Sequence, residues 1–286
     1  MTTVKLTDKS GCSLTVIELD GKFYPAFPVD NLKNYRTLPL TDDDVILCAY
    51  PKSGTHWLWE VAMMLRQGKA ETIPFKKSLQ MVEFNSIANM AEYPPPRVFN
   101  THVLYEDLPS EAHARRSRLV LVYRNPKDVA VSLYNHHRKL SQYYEYEGTF
   151  ADWLEMFLDG RVDYGSWFDY VKSWEKVFYS DAPNPVHLIK YEDMKENPVS
   201  EIKRLAEFLG VTPDPELIKK IADKCEFSKM AEDKKPHQEH TEIMFRKGVV
   251  GDWKNTFTVA QSEAFDAILK ERMKDCKLKL QVRYTL

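Results

Sequence analysis

Three short segments of this 286-residue chain set cations, hydroxyls and glycine where an anion can be gripped. In the first, the apolar run Val45 to Tyr50 reads as a buried strand, Pro51 to Thr55 as a polar turn, and a helical pattern starts near His56. A strand feeding a helix through a tight turn offers free backbone N–H groups and the positive end of the helix dipole to one point. Lys52 adds a full charge there, Ser53 and Thr55 add hydroxyls, and Gly54 lets the backbone approach closely. A phosphate or sulfate group is what such a turn suits. The second segment, Arg124-Asn-Pro-Lys-Asp-Val-Ala-Val-Ser132, is another strand-to-helix anion site. Arg124 can make forked hydrogen bonds to a phosphate, and Ser132, eight residues on, can reach the same anion along the helix. A surface ion pair between Arg124 and Asp128 is the alternative. In the third, Phe245 to Lys254, the adjacent Arg246 and Lys247 with the flexible Gly248 suit a clamp over a phosphate, against the alternative of a solvated charged loop. The first turn is not a nucleoside-triphosphate loop. Its lysine precedes the glycine, and the strands end in Tyr50, Thr101, Tyr123 and Lys190 with no aspartate for magnesium.

The elements that must carry these segments alternate. Strands are expected at Arg97 to Thr101, Arg118 to Tyr123 and Val186 to Lys190 besides the one ending at Tyr50. Helices are expected after the first turn, where Trp57, Val61, Met64 and Leu65 share a face, and from Lys127 to about Arg138 with Pro126 at N1. More are expected at 77–90, 150–158, 164–179, 198–209, 215–226 and 260–274. Residues 1–43 read as polar and turn-rich. The alternation implies an α/β fold: a single domain over residues 1–286, with a central parallel sheet flanked by helices on both faces. Ligands in such sheets bind beyond the carboxyl ends of the strands, which gathers Lys52, His102, Arg124 and Tyr191 at one edge.

Composition narrows the classes. A net charge of −2 argues against general nucleic-acid binding. Cys12, Cys48, Cys225 and Cys276 are scattered, with neither metal-ligand spacing nor a disulfide framework. His237 and His240 lie three apart without further ligands, so no metal site is expected. No signal peptide and no run long enough to span a bilayer is visible, and a reduced, cytoplasmic setting is the simplest expectation.

Taken together, Tyr50-Pro-Lys-Ser-Gly-Thr-His-Trp57, Arg124 to Ser132, Tyr191-Glu-Asp-Met-Lys-Glu-Asn-Pro198 and Arg246-Lys-Gly-Val-Val-Gly-Asp-Trp-Lys254 closely resemble the cytosolic sulfotransferases, in order and spacing, from about Asp44 onward. The resemblance implies transfer of a sulfuryl group from 3′-phosphoadenosine 5′-phosphosulfate (PAPS) to a hydroxyl or amine of a small acceptor, leaving 3′-phosphoadenosine 5′-phosphate (PAP), with no metal. It implies that Lys52, Ser53, Gly54, Thr55, His56 and Trp57 hold the phosphosulfate, with Trp57 near the adenine, and that Arg124 and Ser132 take the 3′-phosphate. Tyr191, Cys225, Phe227 and Met230 would line the nucleotide, and Met244, Phe245, Arg246, Lys247 and Gly248 would close over it. His102 matches the catalytic base. A histidine with an ordinary pKa near ~6.5 can take the proton of an attacking hydroxyl. Lys52 would neutralise charge on the departing phosphate, and Ser132 is grouped with these two as catalytic. Phe23, Tyr24, Phe27, Phe84, Tyr143, Tyr144 and Tyr146 are the expected aromatic acceptor pocket for flat phenols or steroids, each with plain core packing as its alternative. Lys254, Thr258, Val259 and Glu263 reproduce the spacing of a small homodimer contact.

The chain departs from the family pattern at four places. His56 stands for a threonine, Asn100 for a lysine two before the histidine, Cys225 for a threonine, and Met244-Phe245 is a reversed pair. Two other readings stay open on the sequence: a nucleoside-triphosphate kinase, suggested by the anion turn, and a nucleotide-binding module without turnover, suggested by Asn100 and His56.

Overall fold

A computed structural model of the chain describes residues 1–180, 182–212, 214–237 and 241–278. Its centre is a four-stranded, wholly parallel sheet. Two antiparallel hairpins precede it, built from strands β1 (Thr2–Thr7), β2 (Ser13–Leu19) and β3 (Lys22–Tyr24). The parallel sheet holds β4 (Val45–Ala49), β5 (Val98–Thr101), β6 (Arg118–Tyr123) and β7 (Val186–Lys190), in the order β5-β4-β6-β7.

Alternation along the strands splits the interior into two cores. Ile46 and Cys48 of β4 and Leu119 and Leu121 of β6 face one side; Val45, Leu47, Ala49, Val120 and Val122 face the other. Both faces are apolar because helices cover both, as a parallel sheet requires. Helix α1 (Thr55–Gln67) and the helices Pro198–Phe208 and Pro215–Lys224 cover the second face. Helix α2 (Pro126–Lys139), with Phe150–Leu158 and Trp167–Phe178, covers the first. Three further helices border the strand ends or the first core: α3 (Tyr191–Glu196), α4 (Phe227–Lys234) and α5 (Val259–Arg272).

Two expectations fail here. Residues 1–43 are not merely turns: β1 to β3 form a second sheet. β1 is an exposed edge whose polar residues mask the period-two signal. Nor is 77–90 one helix. Lys77–Gln80 is a single 3-10 turn, Met81 bridges to Asn100, the Val82 N–H donates to the Asn100 carbonyl at 3.0 Å, and a new helix, capped by Ser86, spans Ile87–Ala91. The edge of β5 has unpaired backbone groups, and satisfying them outweighs a weak amphipathic pattern.

Candidate active site

The sheet order arranges the site. Each strand releases its following residue at the carboxyl edge, so His102, Lys52, Arg124 and Tyr191 follow one another in the order of β5, β4, β6 and β7. Neighbouring strands are about 4.8 Å apart. All four residues line one cavity of about 520 Å³.

The first turn is strained in a useful way. Lys52 has φ +66° and Gly54 φ +106°. A Cβ at Gly54 would lie 2.7 Å from the Tyr191 ring, so both backbone and space demand glycine there. Gly54 is also the N-cap of α1, and no side chain caps that helix. Its first-turn N–H groups therefore stay available to an anion. The Lys52 Nζ reaches His136 Nδ1 at 3.4 Å. Burial first, then the charges of Lys77, Arg124 and Arg246, lower its pKa to about 7.

The second turn differs. Asn125 caps α2 by accepting the Lys127 N–H. Asp128 accepts the N–H groups of Gly251 (2.8 Å) and Trp253 (3.0 Å) instead of pairing with Arg124. Arg124 donates to the carbonyls of Lys52 (2.9 Å) and Val249 (3.3 Å) and lies 4.2 Å above the Tyr191 ring. Its Nε is buried without a partner, as are Arg246 Nε and Trp57 Nε1. Buried donors of this kind are rare unless a ligand supplies the acceptor. The third segment closes the same cavity. Asp252 accepts from Arg246 (2.6 Å) and Lys247 (2.7 Å). Burial would raise this carboxyl, but hydrogen bonds from Lys247, Asn255 and Arg246 hold it at about 2. At Gly248 (φ +65°) a Cβ would collide with the Phe227 ring, so α4 and this loop are mutually seated.

At the other end His102 Nδ1 is 2.7 Å from the Ala49 carbonyl. A carbonyl only accepts, so Nδ1 carries the proton and Nε2 keeps a lone pair. Its backbone N–H donates to Glu83, which also accepts from Thr101 and Tyr164. Burial, then the Lys77 charge, lower the imidazole pKa to about 3, against a smaller upward pull from Ala49. The ring is neutral throughout the physiological range.

Most expected site residues meet here. Lys52, Gly54, Thr55, His56 and Trp57 line the cavity, as do His102, Arg124, Ser132, Tyr191, Phe227 and Met230. So do Met244 to Gly248, and Phe27, Phe84, Tyr143 and Tyr144 at the acceptor end. Some do not. Ser53 is buried toward a separate small cavity beside Trp167. Cys225 is sealed in the second core with its Sγ 3.7 Å from Met64 Sδ. Phe23 gives only its carbonyl, to the Tyr164 N–H, and Tyr24 packs edge-on against Tyr164. Tyr146 is buried against Asp8. In each case the aromatic or polar type was read correctly but the side chain turns into the core. Sequence reasoning missed Lys77, Lys195 and His136, which also line the cavity, and Glu83 behind His102. Lys195 stands inside the quoted Tyr191 to Pro198 motif, and Lys77, Glu83 and His136 inside segments read as helices, but nothing in those patterns singles the four residues out. Among the described residues no group of three or more His, Cys, Asp or Glu is placed for a metal; the expectation about His237 and His240 falls partly outside them, since His240 is not described.

A sequence model described as "Sulfotransferase domain" matches residues 42–277. Sulfotransferase 1A1 of Mus musculus is 38% identical over 272 residues, covering 88% of this chain and 91% of its own. Sulfotransferase 1C2 of Rattus norvegicus is 36% identical, over 90% and 92%. The crystal structure of mouse sulfotransferase SULT7A1 complexed with PAP superposes with a TM-score of 0.79 at 33% identity, over 93% of this chain and 97% of that one. An uncapped strand-to-helix turn, a neutral histidine lining the same cavity and these matches over nearly the whole chain lead to one assignment: the chain belongs to the sulfotransferase family.

Proposed function

We propose that this enzyme transfers a sulfuryl group from PAPS to the hydroxyl or amine of a small, aromatic or steroid-like acceptor, with His102 as general base. The observation that carries the reading is the strand order, which sets a neutral imidazole beside the Lys52 turn and the Lys52 turn beside Arg124 in one cavity. The orphaned donors of Trp57, Arg124 and Arg246 fit a nucleotide bearing phosphates at both ends. The Lys52 turn and the open N-terminus of α1 would hold the phosphosulfate. Arg124, Ser132, Arg246 and Lys247 would hold the 3′-phosphate, and Trp57 and Tyr191 the base. PAPS supplies an electrophilic sulfur with a phosphate leaving group.

The residues then divide the work. His102 Nε2 takes the acceptor proton as the new O–S bond forms. Lys52 faces the phosphate oxygen that keeps the electron pair of the broken S–O bond. Preorganised donors of this kind are worth about 3 kcal/mol at the transition state. Phe27, Phe84 and Tyr143, the last 53% exposed, suit a flat acceptor entering beside residues 25–27 of the N-terminal segment.

Residues 1–286 act as one domain in this reading, in the cytoplasm; no helix among the described residues is long and apolar enough to cross a membrane. A homodimer through Lys254, Thr258, Val259 and Glu263 is part of the proposal, supported by Val259, which is 76% exposed beside the capping box of α5. Val259→Glu should turn a dimer into a monomer in analytical ultracentrifugation; a wild-type monomer would remove the contact.

Labelled-sulfate transfer from PAPS to phenols, steroids and amines, without added magnesium, tests the reaction. Product supports it. Phosphoryl transfer from ATP alone would point to a kinase, and tight PAP binding with no turnover on any acceptor to a binding module.

A further inference from the structure

Lys77 is 4% exposed and is among the residues that line the cavity. Its Nζ donates to Asn100 Oδ1 at 2.5 Å. The Asn100 amide is itself held, its Nδ2 donating to the carbonyls of Lys77 (3.2 Å) and Gln80 (3.0 Å), so Oδ1 has to face the ammonium. Among the described residues this is the one hydrogen bond of Lys77 Nζ, and no carboxylate lies within ion-pair distance. The adjacent acid, Glu83, already accepts from Thr101, His102 and Tyr164. Other cations of the cavity have other contacts: Arg246 and Lys247 share Asp252, Arg124 spans two carbonyls, Lys52 meets His136, and Lys195 lies over the Trp57 ring at 5.5 Å. A buried ammonium with spare donors and no counter-ion is costly unless an anion comes to it. Asn100 lies near the carboxyl end of β5, two residues before His102, which sets this ammonium at the base's end of the cavity rather than the nucleotide end. In keeping with that place, its charge acts on both Lys52 and His102.

We propose that Lys77 is a further catalytic residue, binding the sulfuryl oxygens while the group passes between acceptor and phosphate, and that Asn100 positions it. The inference rests on the sulfotransferase reading. During transfer the acceptor oxygen bonds to sulfur, its proton goes to His102 Nε2, and the S–O bond to phosphate breaks with its electron pair left on the phosphate. The sulfuryl oxygens stay anionic throughout, and the Lys77 ammonium stays protonated beside them. A cation supplied from the loop at 77 thus serves the site from outside the strand that carries the base.

The test uses the full chain with PAPS and a neutral phenol. Lys77→Gln keeps a donor for Asn100 and removes only the charge. It should lower kcat roughly a hundredfold and leave the PAP dissociation constant within about twofold. Adding Asn100→Lys to that variant returns a cation from the neighbouring position and should restore a large part of the lost kcat. Should Lys77→Gln fail to fold, Lys77→Met gives the same comparison in an apolar form. Unchanged kcat would overturn the inference, and so would a loss confined to KM for carboxylate-bearing phenols, which would make Lys77 an anchor for an acidic acceptor. Wild-type protein that binds PAP but transfers nothing would remove the sulfotransferase reading itself. Wild-type turnover matched by Lys77→Gln would remove this inference alone.

Discussion

The two strand-to-helix turns look alike in sequence and work differently in space. The turn after β4 leaves the N-terminus of α1 uncapped, puts Lys52 and Gly54 at positive φ and opens the backbone toward the cavity. The turn after β6 is already satisfied, with Asn125 on the Lys127 N–H and Asp128 stapling residues 251–253 to α2. In the proposed reading the first would bind an anion through free backbone N–H donors, and the second through the side chains of Arg124 and Ser132 on a closed scaffold. The division suits their tasks. The group that reacts needs many short, preorganised donors, while the far phosphate needs only charge and position.

The largest expected effect lies beside the open turn. His102→Ala should abolish turnover while PAP affinity stays nearly intact, read by steady-state kinetics and calorimetry; retained turnover would remove the residue from the base role. Next, the two turns should separate kinetically. Lys52→Met should cost about 3 kcal/mol in kcat. Arg124→Ala should weaken PAP binding by about 2 kcal/mol and spare kcat at saturating donor. Equal losses in both parameters for both variants would break the comparison. A smaller effect concerns protons. Lys52 has its pKa lowered to about 7, so part of the population is unprotonated near pH 7.5. A bound phosphate favours the charged amine, so PAP binding should take up a fraction of a proton there and weaken as pH rises. Calorimetry in two buffers of different ionisation enthalpy reads this, and an uptake unchanged in Lys52→Met would assign it elsewhere. Smallest is Asn125→Ala: loss of the cap should cost about 1 kcal/mol of stability, seen as a lower Tm, with PAP affinity unmoved. A matching fall in affinity would mean that the second turn also binds through its backbone.

Legibility followed the kind of signal. Strands β4 and β6 were readable because each is a short, almost wholly apolar run buried on both faces, and β6 and β7 fall on the expected residues. The helices Phe150–Leu158 and Pro198–Phe208 fall where helices were expected, the first capped by Thr149 and the second opening on Pro198. The edge strand β1 was not, since its exposed face is polar. The loop at 77–86 was misread because its conformation answers to unpaired groups on β5 that sequence position does not reveal. The cations divide in the same way: Lys52, Arg124, Arg246 and Lys247 sit at the anion turns and the basic loop that the sequence marks, whereas Lys77 sits in a weakly patterned segment and Lys195 in a motif that gives it no role of its own, and both reach the cavity only through the fold.

The chain's own residues determined the alternation of strand and helix, hence the parallel sheet and the edge at which an anion would bind, because apolar period and turn chemistry are local properties. Tertiary structure alone decided the left-to-right order of His102, Lys52, Arg124 and Tyr191, the capping that tells one turn from the other, and the burial that turned Ser53 and Cys225 away while drawing Lys77 in. Those depend on which strand lies beside which and on where unpaired donors, acceptors and charges come to rest once water is excluded.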